Sequence, residues 1–305
     1  MIFELTILGN SSATPTLNRH PSAQHLRMLD YQFLIDCGEG TQMQMQRYKI
    51  KKSKINHIFI SHIHADHILG LPGLLFSMNL MQRKDPIHIY GPETLFEILD
   101  LYFKNTDNII NFEIVKHITQ AEKNEVLLEN ESVKVVSFPL FHRVPTTGFI
   151  FYEQKSLKKL NKDNCKKYNI PVTEFLSIKK GNDYISEDGK TIIKNSELTF
   201  ENKKPMSYAY CSDTMYDERV IQNIEGVNLV YHEATFLHEK LERAIQTMHS
   251  TALQAGMVAK KANVEKLLIG HFSSRYDNLD ILLNETKSEF ENSFIANEGE
   301  KFIWE

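Results

Sequence analysis

The residues most able to do chemistry lie together in SHIHADHILG, residues 61–70, where His62, His64, Asp66 and His67 fall within six positions. Imidazole nitrogen and carboxylate oxygen are suitable ligands for a catalytic zinc ion. In an extended or turning segment His62 and His64 can aim at one ion. Once the chain turns into a helix, Asp66 and His67 can aim at a second. Single histidines commonly cap helices, hydrogen-bond in cores or sit on surfaces; three with an aspartate, at this spacing after an apolar strand, point to metal. One cluster does not complete two ligand shells, so later residues must contribute. His142, Asp213 and His271 each follow an expected strand, at 133–138, 206–211 and 266–269, and α/β sheets assemble their sites just past strand ends. An aspartate at 213 can bridge two ions with its two oxygens. Surplus groups occur in HEAT, 232–235, and in HST, 249–251. Ser250 or Thr251 is suited to N-cap the helix that follows. His249 paired with Glu233 reads as a general acid beside the metals. His20, His25, His57, His88, His117 and His238 are expected to be structural or surface groups.

Positioning these side chains requires a particular set of elements. Residues 4–8, 31–36 and 55–60 read as strands, the last a short, β-branched, apolar run. A helical pattern follows over 69–81, with Pro72 near its start, where a missing N–H does least harm. Strands recur at 87–90, 133–138, 148–152, 206–211, 229–232 and 266–269, and helical patterns at 94–103, 250–262 and 277–290. Helices mixed with runs of strands point to a layered α/β protein. No internal repeat is visible.

Composition narrows the class. With 305 residues, 42% of them hydrophobic and 24% charged, the chain can bury a substantial core. No apolar run is long enough for a transmembrane helix. The opening MIFELTILGN lacks the basic region and cleavage site of a signal peptide and reads as a first strand. Cys37, Cys165 and Cys211 are widely spaced and odd in number, and no CxxC pair occurs. That suggests neither a disulfide framework nor a thiolate zinc site, and it fits a reducing cytoplasm. A net charge of −4 argues at first against a nucleic-acid partner. The average conceals residues 155–204, where twelve lysines face seven acids, leaving −9 for the rest of the chain. This segment is expected to be an insertion projecting from a single domain that spans residues 1–305.

Seven segments carry a further signal: DCGEGTQ (36–42), HIHADHILGLPGLL (62–75), PLFHRVPTTG (139–148), SDT (212–214), HEAT (232–235), HSTALQA (249–255) and GHFSSRY (270–276). Together they resemble the metallo-β-lactamase superfamily and, within it, the ribonuclease Z family along nearly the whole chain. The superfamily motif alone leaves β-lactamase, lactonase, sulfatase and phosphodiesterase open; HEAT, HST and HFSSRY narrow the choice. The resemblance implies a metallo-β-lactamase αββα sandwich with a protruding basic arm and the site at one edge of its sheets. It implies two Zn2+ per subunit: His62, His64 and His142 hold one, Asp66, His67 and His271 the other, and Asp213 bridges them. Mn2+ and Fe2+ accept the same ligands.

The implied activity is that of a phosphodiesterase endonuclease that removes the 3′ trailer of precursor tRNA, leaving a 3′-hydroxyl on the tRNA and a 5′-phosphate on the trailer. Asp66 would orient or deprotonate the attacking water, and His249, supported by Glu233, would protonate the leaving oxygen. Residues 155–204 sit where many family members carry the flexible arm that grips the tRNA elbow, in homodimers whose arms clamp substrate presented to the partner subunit. Lys158, Lys159, Lys166 and Lys167, with Arg19, are then the candidate substrate contacts. Lysines neutralise phosphates and release counterions, giving salt-sensitive affinity that is independent of sequence, so recognition rests on RNA shape.

The chain departs from the family pattern at three places. Its N-terminal loop reads PTLNRH at 15–20, keeping Arg19 but placing Leu17 and His20 where lysine and asparagine are usual. The arm has PVTEFL at 171–176 in place of a Gly-Pro-rich stretch, and Ser212 stands where glycine is usual. Two other readings remain: a metal-dependent phosphodiesterase or arylsulfatase acting on small esters, and an RNA-binding protein whose metal site is only structural or has decayed.

Overall fold

The computed structural model describes residues 3–106, 109–154, 157–201 and 204–304. Two compact units emerge. The larger takes in the chain up to Glu129, Val133–Tyr152, and everything from Ser207 onward; the smaller comprises Asn130–Ser132 and Glu153–Met206.

Two seven-stranded sheets build the larger unit. The first runs in the order Lys301–Trp304, Phe3–Gly9, Ala23–Met28, Tyr31–Ile35, His57–Phe59, Ile87–Gly91, Ile114–Ile118. The second runs Ser293–Ile295, Lys266–Gly270, Leu229–Glu233, Ser207–Cys211, Thr146–Glu153, Val133–Leu140, Glu125–Glu129. Pairing in the first sheet is antiparallel as far as Tyr31–Ile35 and parallel beyond it. Parallel neighbours need a crossover, and helices Thr41–Arg47, Leu71–Leu80 and Glu93–Asn105 supply them. In the second sheet, Ser207–Cys211, Leu229–Glu233, Lys266–Gly270 and Ser293–Ile295 are mutually parallel.

Alternation along the strands makes the layers. Phe33 and Phe59 turn toward the second sheet, with ring centroids 5.2 Å (Phe33–Phe151), 5.4 Å (Phe59–Phe149) and 5.2 Å (Phe59–Phe151) apart. Their neighbours Leu34 and Ile58 turn the other way and pack with Leu74, Leu75 and Leu95 of the helices. Across the second sheet, Ala209, Val230 and Ile269 pack with Val220, Ala255 and Val258. The result is helix, sheet, sheet, helix, as expected from the sequence. Because the central strands are parallel within each sheet, their C-terminal ends emerge together, carrying Asp36, His62, Asp213, Glu233 and His271.

Two helices differ from expectation. The pattern over 69–81 forms Leu71–Leu80, and a separate helical turn, Ala65–Ile68, precedes it in the stretch expected to be a turn; the two stay apart because Pro72 has no N–H to offer the Ile68 carbonyl. The helix expected from 250 begins at Ala252, with Thr251 as its N-cap in a reciprocal capping box with Gln254. Close approach at the site also depends on two glycines. Cys37 N–H donates to the His67 carbonyl and Gly70 N–H to the Cys37 carbonyl, each at 2.8 Å. A Cβ on Gly38 would lie 2.4 Å from the Asp66 carbonyl oxygen, and one on Gly70 2.1 Å from that of Gly38. Only a residue without Cβ lets the Asp36 turn rest directly on the helix that carries Asp66 and His67.

The smaller unit has a core of its own, made by Cys165, Ile170, Ile178, Ile193 and Leu198. Helix Lys162–Lys167 is N-capped by the Asn161 side chain, which accepts from Asn164 N–H. Two short hairpin-like pairs, Lys159–Leu160 with Thr199–Phe200 and Tyr184–Ile185 with Ile192–Ile193, close it. Asn195 ties these pieces together by donating to the Ile178 and Asn182 carbonyls. The unit starts two residues before the lysine-rich stretch and ends two after it. The expected first residue of that stretch, Lys155, lies outside the described residues. Among the described residues no helix is long and apolar enough to cross a membrane.

Candidate metal centre

Four strand ends, those of His57–Phe59, Val133–Leu140, Ser207–Cys211 and Lys266–Gly270, and the helix Ala65–Ile68 bring the seven expected ligands together. The donor atoms of His62, His64, His142 and Asp213 lie within 4.8 Å of one another, and so do those of Asp66, His67 and His271. Asp213 faces both sets. Its Oδ2 is 3.6 Å from His62 Nε2 and 3.7 Å from His142 Nε2. Its Oδ1 is 3.4 Å from His67 Nε2 and 3.2 Å from His271 Nε2. Within the sets, His64 Nδ1 lies 3.0 Å from His62 Nε2 and 3.2 Å from His142 Nε2; Asp66 Oδ2 lies 3.5 Å from His67 Nε2 and 3.3 Å from His271 Nε2. Ligands about 2.0–2.1 Å from a tetrahedral zinc stand roughly 3.4 Å from each other, so these spacings are the edges such a polyhedron requires.

The donor set calls for cations on charge grounds as well. Asp36, Asp66, Asp213 and Glu233 are all buried, and among the described residues no lysine or arginine pairs with any of them. Burial, together with the neighbouring histidines, depresses the pKa values of His62 and His64, and burial is the largest cause at His142. Those three rings are therefore neutral, whereas Asp213, Asp66 and Asp36 lift His67 against the cost of burial, leaving more buried carboxylates than that ring offsets. His67 Nε2 and Asp213 Oδ1 are buried without a hydrogen-bond partner, an arrangement that is costly unless something else binds them. Divalent metal fits.

Four of the five rings are held by the other nitrogen, which fixes the tautomer that leaves a lone pair for the centre. His142 Nδ1 donates to the Met248 carbonyl at 2.8 Å. His62 Nδ1 lies 3.0 Å from Ser61 Oγ, and His271 Nδ1 lies 3.0 Å from Thr235 Oγ1. His67 Nδ1 meets Asp36 Oδ2 at 2.7 Å. Asp36, fully buried at a left-handed φ of 54°, also accepts from Ser61 N–H, Ser61 Oγ–H and Tyr210 Oη–H. Asp66 Oδ2 accepts from Ala13 N–H at 2.7 Å. The sequence reading gave Asp36, Ser61 and Thr235 no role; the one signal available was that Asp36 and Ser61, like the ligands, stand just past strand ends.

Beside the ligands lies the expected pair. His249 Nδ1 and Glu233 Oε1 are 2.8 Å apart, and the carboxylate also accepts from Thr214 N–H and Thr235 Oγ1–H. Burial disfavours charge on His249, but the Glu233 carboxylate outweighs it and lifts the imidazole to about 9. A ring so protonated is a proton donor in waiting and a poor ligand, although its nitrogen lies within 4.8 Å of the Asp213 and His271 donors. The remaining HST residues have separate work: Ser250 Oγ–H donates to the Thr214 carbonyl at 2.7 Å, and Thr251 is the helix cap.

Arg19 lies on the same N-terminal loop as Ala13; its Nη2 donates to the Ser273 carbonyl at 3.3 Å, and its Nη1 is buried without a partner. Lys158, Lys159, Lys166 and Lys167 belong to the smaller unit. There Lys159, Lys166 and Lys167 are exposed, while Lys158 Nζ donates to Asn195 Oδ1 at 3.0 Å. His20 is tied to Glu298 at 2.8 Å, and His57, His88 and His117 stack on one another along the first sheet.

Comparison with known proteins agrees with this geometry. Residues 3–159 match the family model described as Anti-Pycsar protein Apyc1, a stretch that ends before Asp213, Glu233, His249 and His271. Ribonuclease Z of Porphyromonas gingivalis is 41% identical over 296 residues, covering 97% of each chain. Ribonuclease Z of Cytophaga hutchinsonii is 44% identical over 302 residues, covering 99% of this chain and 96% of that relative. Among solved structures, human tRNase Z, short form, superposes with a TM-score of 0.72 at 25% identity over 98% of both chains. The metallo-β-lactamase fold protein YhfI from Bacillus subtilis superposes with a TM-score of 0.70 at 19% identity over the whole of both, which establishes the fold. With kinship of 41–44% identity that runs along nearly the whole length of both chains, the chain belongs to the ribonuclease Z family.

Proposed function

We propose that this chain is the metal-dependent endonuclease that removes the 3′ trailer of precursor tRNA. The observation that carries the reading is Asp213, which presents one oxygen to each of two donor sets. His62, His64 and His142 would hold one Zn2+, Asp66, His67 and His271 the other, with Asp213 between them. Metal held there would supply Lewis-acid stabilisation of charge on the scissile phosphate and would make water a better nucleophile near neutral pH.

The protein's own groups do the rest. Asp66 orients the attacking water and accepts its proton as the water oxygen bonds to phosphorus. The bond from phosphorus to the 3′ oxygen breaks, leaving the phosphate on the 5′ end of the trailer. Glu233 fixes His249 through Nδ1, so Nε2 delivers the proton that turns the departing oxygen into the tRNA 3′-hydroxyl. The smaller unit serves as the RNA-binding arm, with Lys159, Lys166 and Lys167 on phosphates, and Arg19 approaches the substrate from the N-terminal loop. Two subunits work as a homodimer, each arm clamping the tRNA presented to the partner. The work is cytoplasmic, in keeping with three free, buried thiols.

A small-ester phosphodiesterase or arylsulfatase uses the same ligands, so the test compares substrates. Specificity constants are measured for a 3′-extended precursor tRNA, bis(p-nitrophenyl) phosphate and an aryl sulfate. Binding energy from remote parts of a large substrate raises turnover at the reacting centre, so the precursor is expected to exceed the small diester by at least about 10³-fold. Comparable constants would assign the chain to small esters.

A further inference from the structure

The smaller unit contains a cleft of about 610 Å³ between helix Lys162–Lys167 and helix Phe175–Lys179, within the roughly 300–1,000 Å³ range of ligand pockets. Leu160, Cys165 and Ile170 make its apolar lining, and Phe175 adds a half-buried aromatic ring. Lys162, Lys166 and Lys179 stand around it, and no acidic side chain lines it. Among the described residues of this unit the one ion pair is Lys194 with Asp183, away from the cleft. The three lysines are therefore uncompensated.

A merely solvated lysine loop would keep its apolar groups inside. This unit instead leaves Val172, Leu176 and Phe200 more than half exposed, at 76%, 56% and 54%, and also has a cleft that pairs an aromatic ring with cations. Aromatic rings that accept a base, flanked by cations that accept phosphates, are the elements of a site for unstacked nucleotides. We propose that this cleft takes one unstacked nucleotide of the RNA substrate, its base against Phe175 and its flanking phosphates on Lys162, Lys166 and Lys179. The proposal rests on the reading above only in taking RNA as the ligand. It assigns the arm a defined subsite beyond a diffuse positive charge.

Phe175 also packs against the core of the unit, so its replacements must separate packing from stacking. The test measures binding of a processed tRNA, which has no trailer to cut, by fluorescence anisotropy on the full, metal-loaded protein across a salt series. Phe175→Leu keeps bulk and loses the π face; Phe175→Trp keeps both. Phe175→Leu is expected to weaken binding about tenfold and Phe175→Trp to leave it within about twofold. Joint replacement of Lys162, Lys166 and Lys179 by alanine is expected to weaken binding and lower the slope of log affinity against log salt by about two to three. Unaltered tRNA binding in Phe175→Leu and in the lysine variant overturns the proposal. So does an equal loss in Phe175→Leu and Phe175→Trp, which would make the ring a packing group. A wild type that binds tRNA through the cleft but does not cut the precursor would refute the endonuclease reading and leave this one standing.

Discussion

Asp213→Ala is expected to lower precursor cleavage by at least about 10⁴-fold while leaving tRNA affinity within a few-fold of wild type. The size of the effect follows from position. Asp213 is the single residue whose two oxygens face both donor sets, at 3.2–3.7 Å from four histidine nitrogens. Burial opposes its charge, but His271 and His67 outweigh that and hold the carboxyl well below the usual carboxylate range. In the proposed two-ion arrangement, removing it would take one ligand from each ion together with the negative charge between them. Metal-assisted stabilisation of the reacting phosphate is worth several kcal/mol, and each 1.36 kcal/mol is tenfold in rate. Single-turnover cleavage and anisotropy on the same preparation check both halves of the expectation. Retained binding with no wild-type cleavage to lose would identify the chain as an RNA binder with a structural or decayed metal site.

The second large effect concerns proton delivery. His249→Ala is expected to lower the rate of cleavage by about 10²–10⁴-fold, the usual worth of a positioned general acid, without displacing metal. Glu233→Gln should act through the same imidazole. Against the cost of burial, the Glu233 carboxylate raises the pKa of His249 to about 9. An acid must be protonated, so activity falls as pH rises through that pKa. With the carboxylate neutralised, burial prevails, the pKa drops, and the alkaline limb of the rate profile moves to lower pH. Glutamine has one oxygen to accept from Thr214 N–H or Thr235 Oγ1–H where the carboxylate accepts from both, so some loss of stability accompanies the shift. The displacement between the two pH profiles is the readout. A limb that stays in place in Glu233→Gln would mean that His249 does not supply the proton.

Much of this molecule is legible in its sequence because the relevant signals are local. The strands that end at Asp213 and His271 are apolar runs bounded by turn residues, and ligands placed just past such runs inherit the geometry of parallel sheet ends. The groups that hold the ligands were not legible. Asp36 reads as an ordinary strand-end residue, and nothing in its type or spacing indicates that it will meet His67 across 31 positions. Thr235 looks like one more polar residue in HEAT, yet it links Glu233 to His271. Ala23–Met28 escaped notice as a strand because both its faces are buried and carry polar residues, Gln24, which accepts from Tyr208, and His25, which meets Gln32. The edge strands Ile114–Ile118 and Glu125–Glu129 are half exposed and mix charge with aliphatics, so they show little alternation. In the lysine-rich stretch charge was visible, but a separate core built on Cys165, Ile178 and Leu198 was not, since its apolar residues are sparse and come together only through tertiary contacts.

The most direct test of the whole account maps the products of a 3′-extended precursor tRNA after the protein is stripped with chelator and then given zinc, with His64→Ala treated alongside. The account predicts a cut immediately 3′ of the discriminator that disappears on chelation, returns with zinc, and is absent from His64→Ala. Cleavage that survives in the chelated protein or in His64→Ala, or no cleavage at all beside brisk hydrolysis of a small phosphodiester, would contradict it.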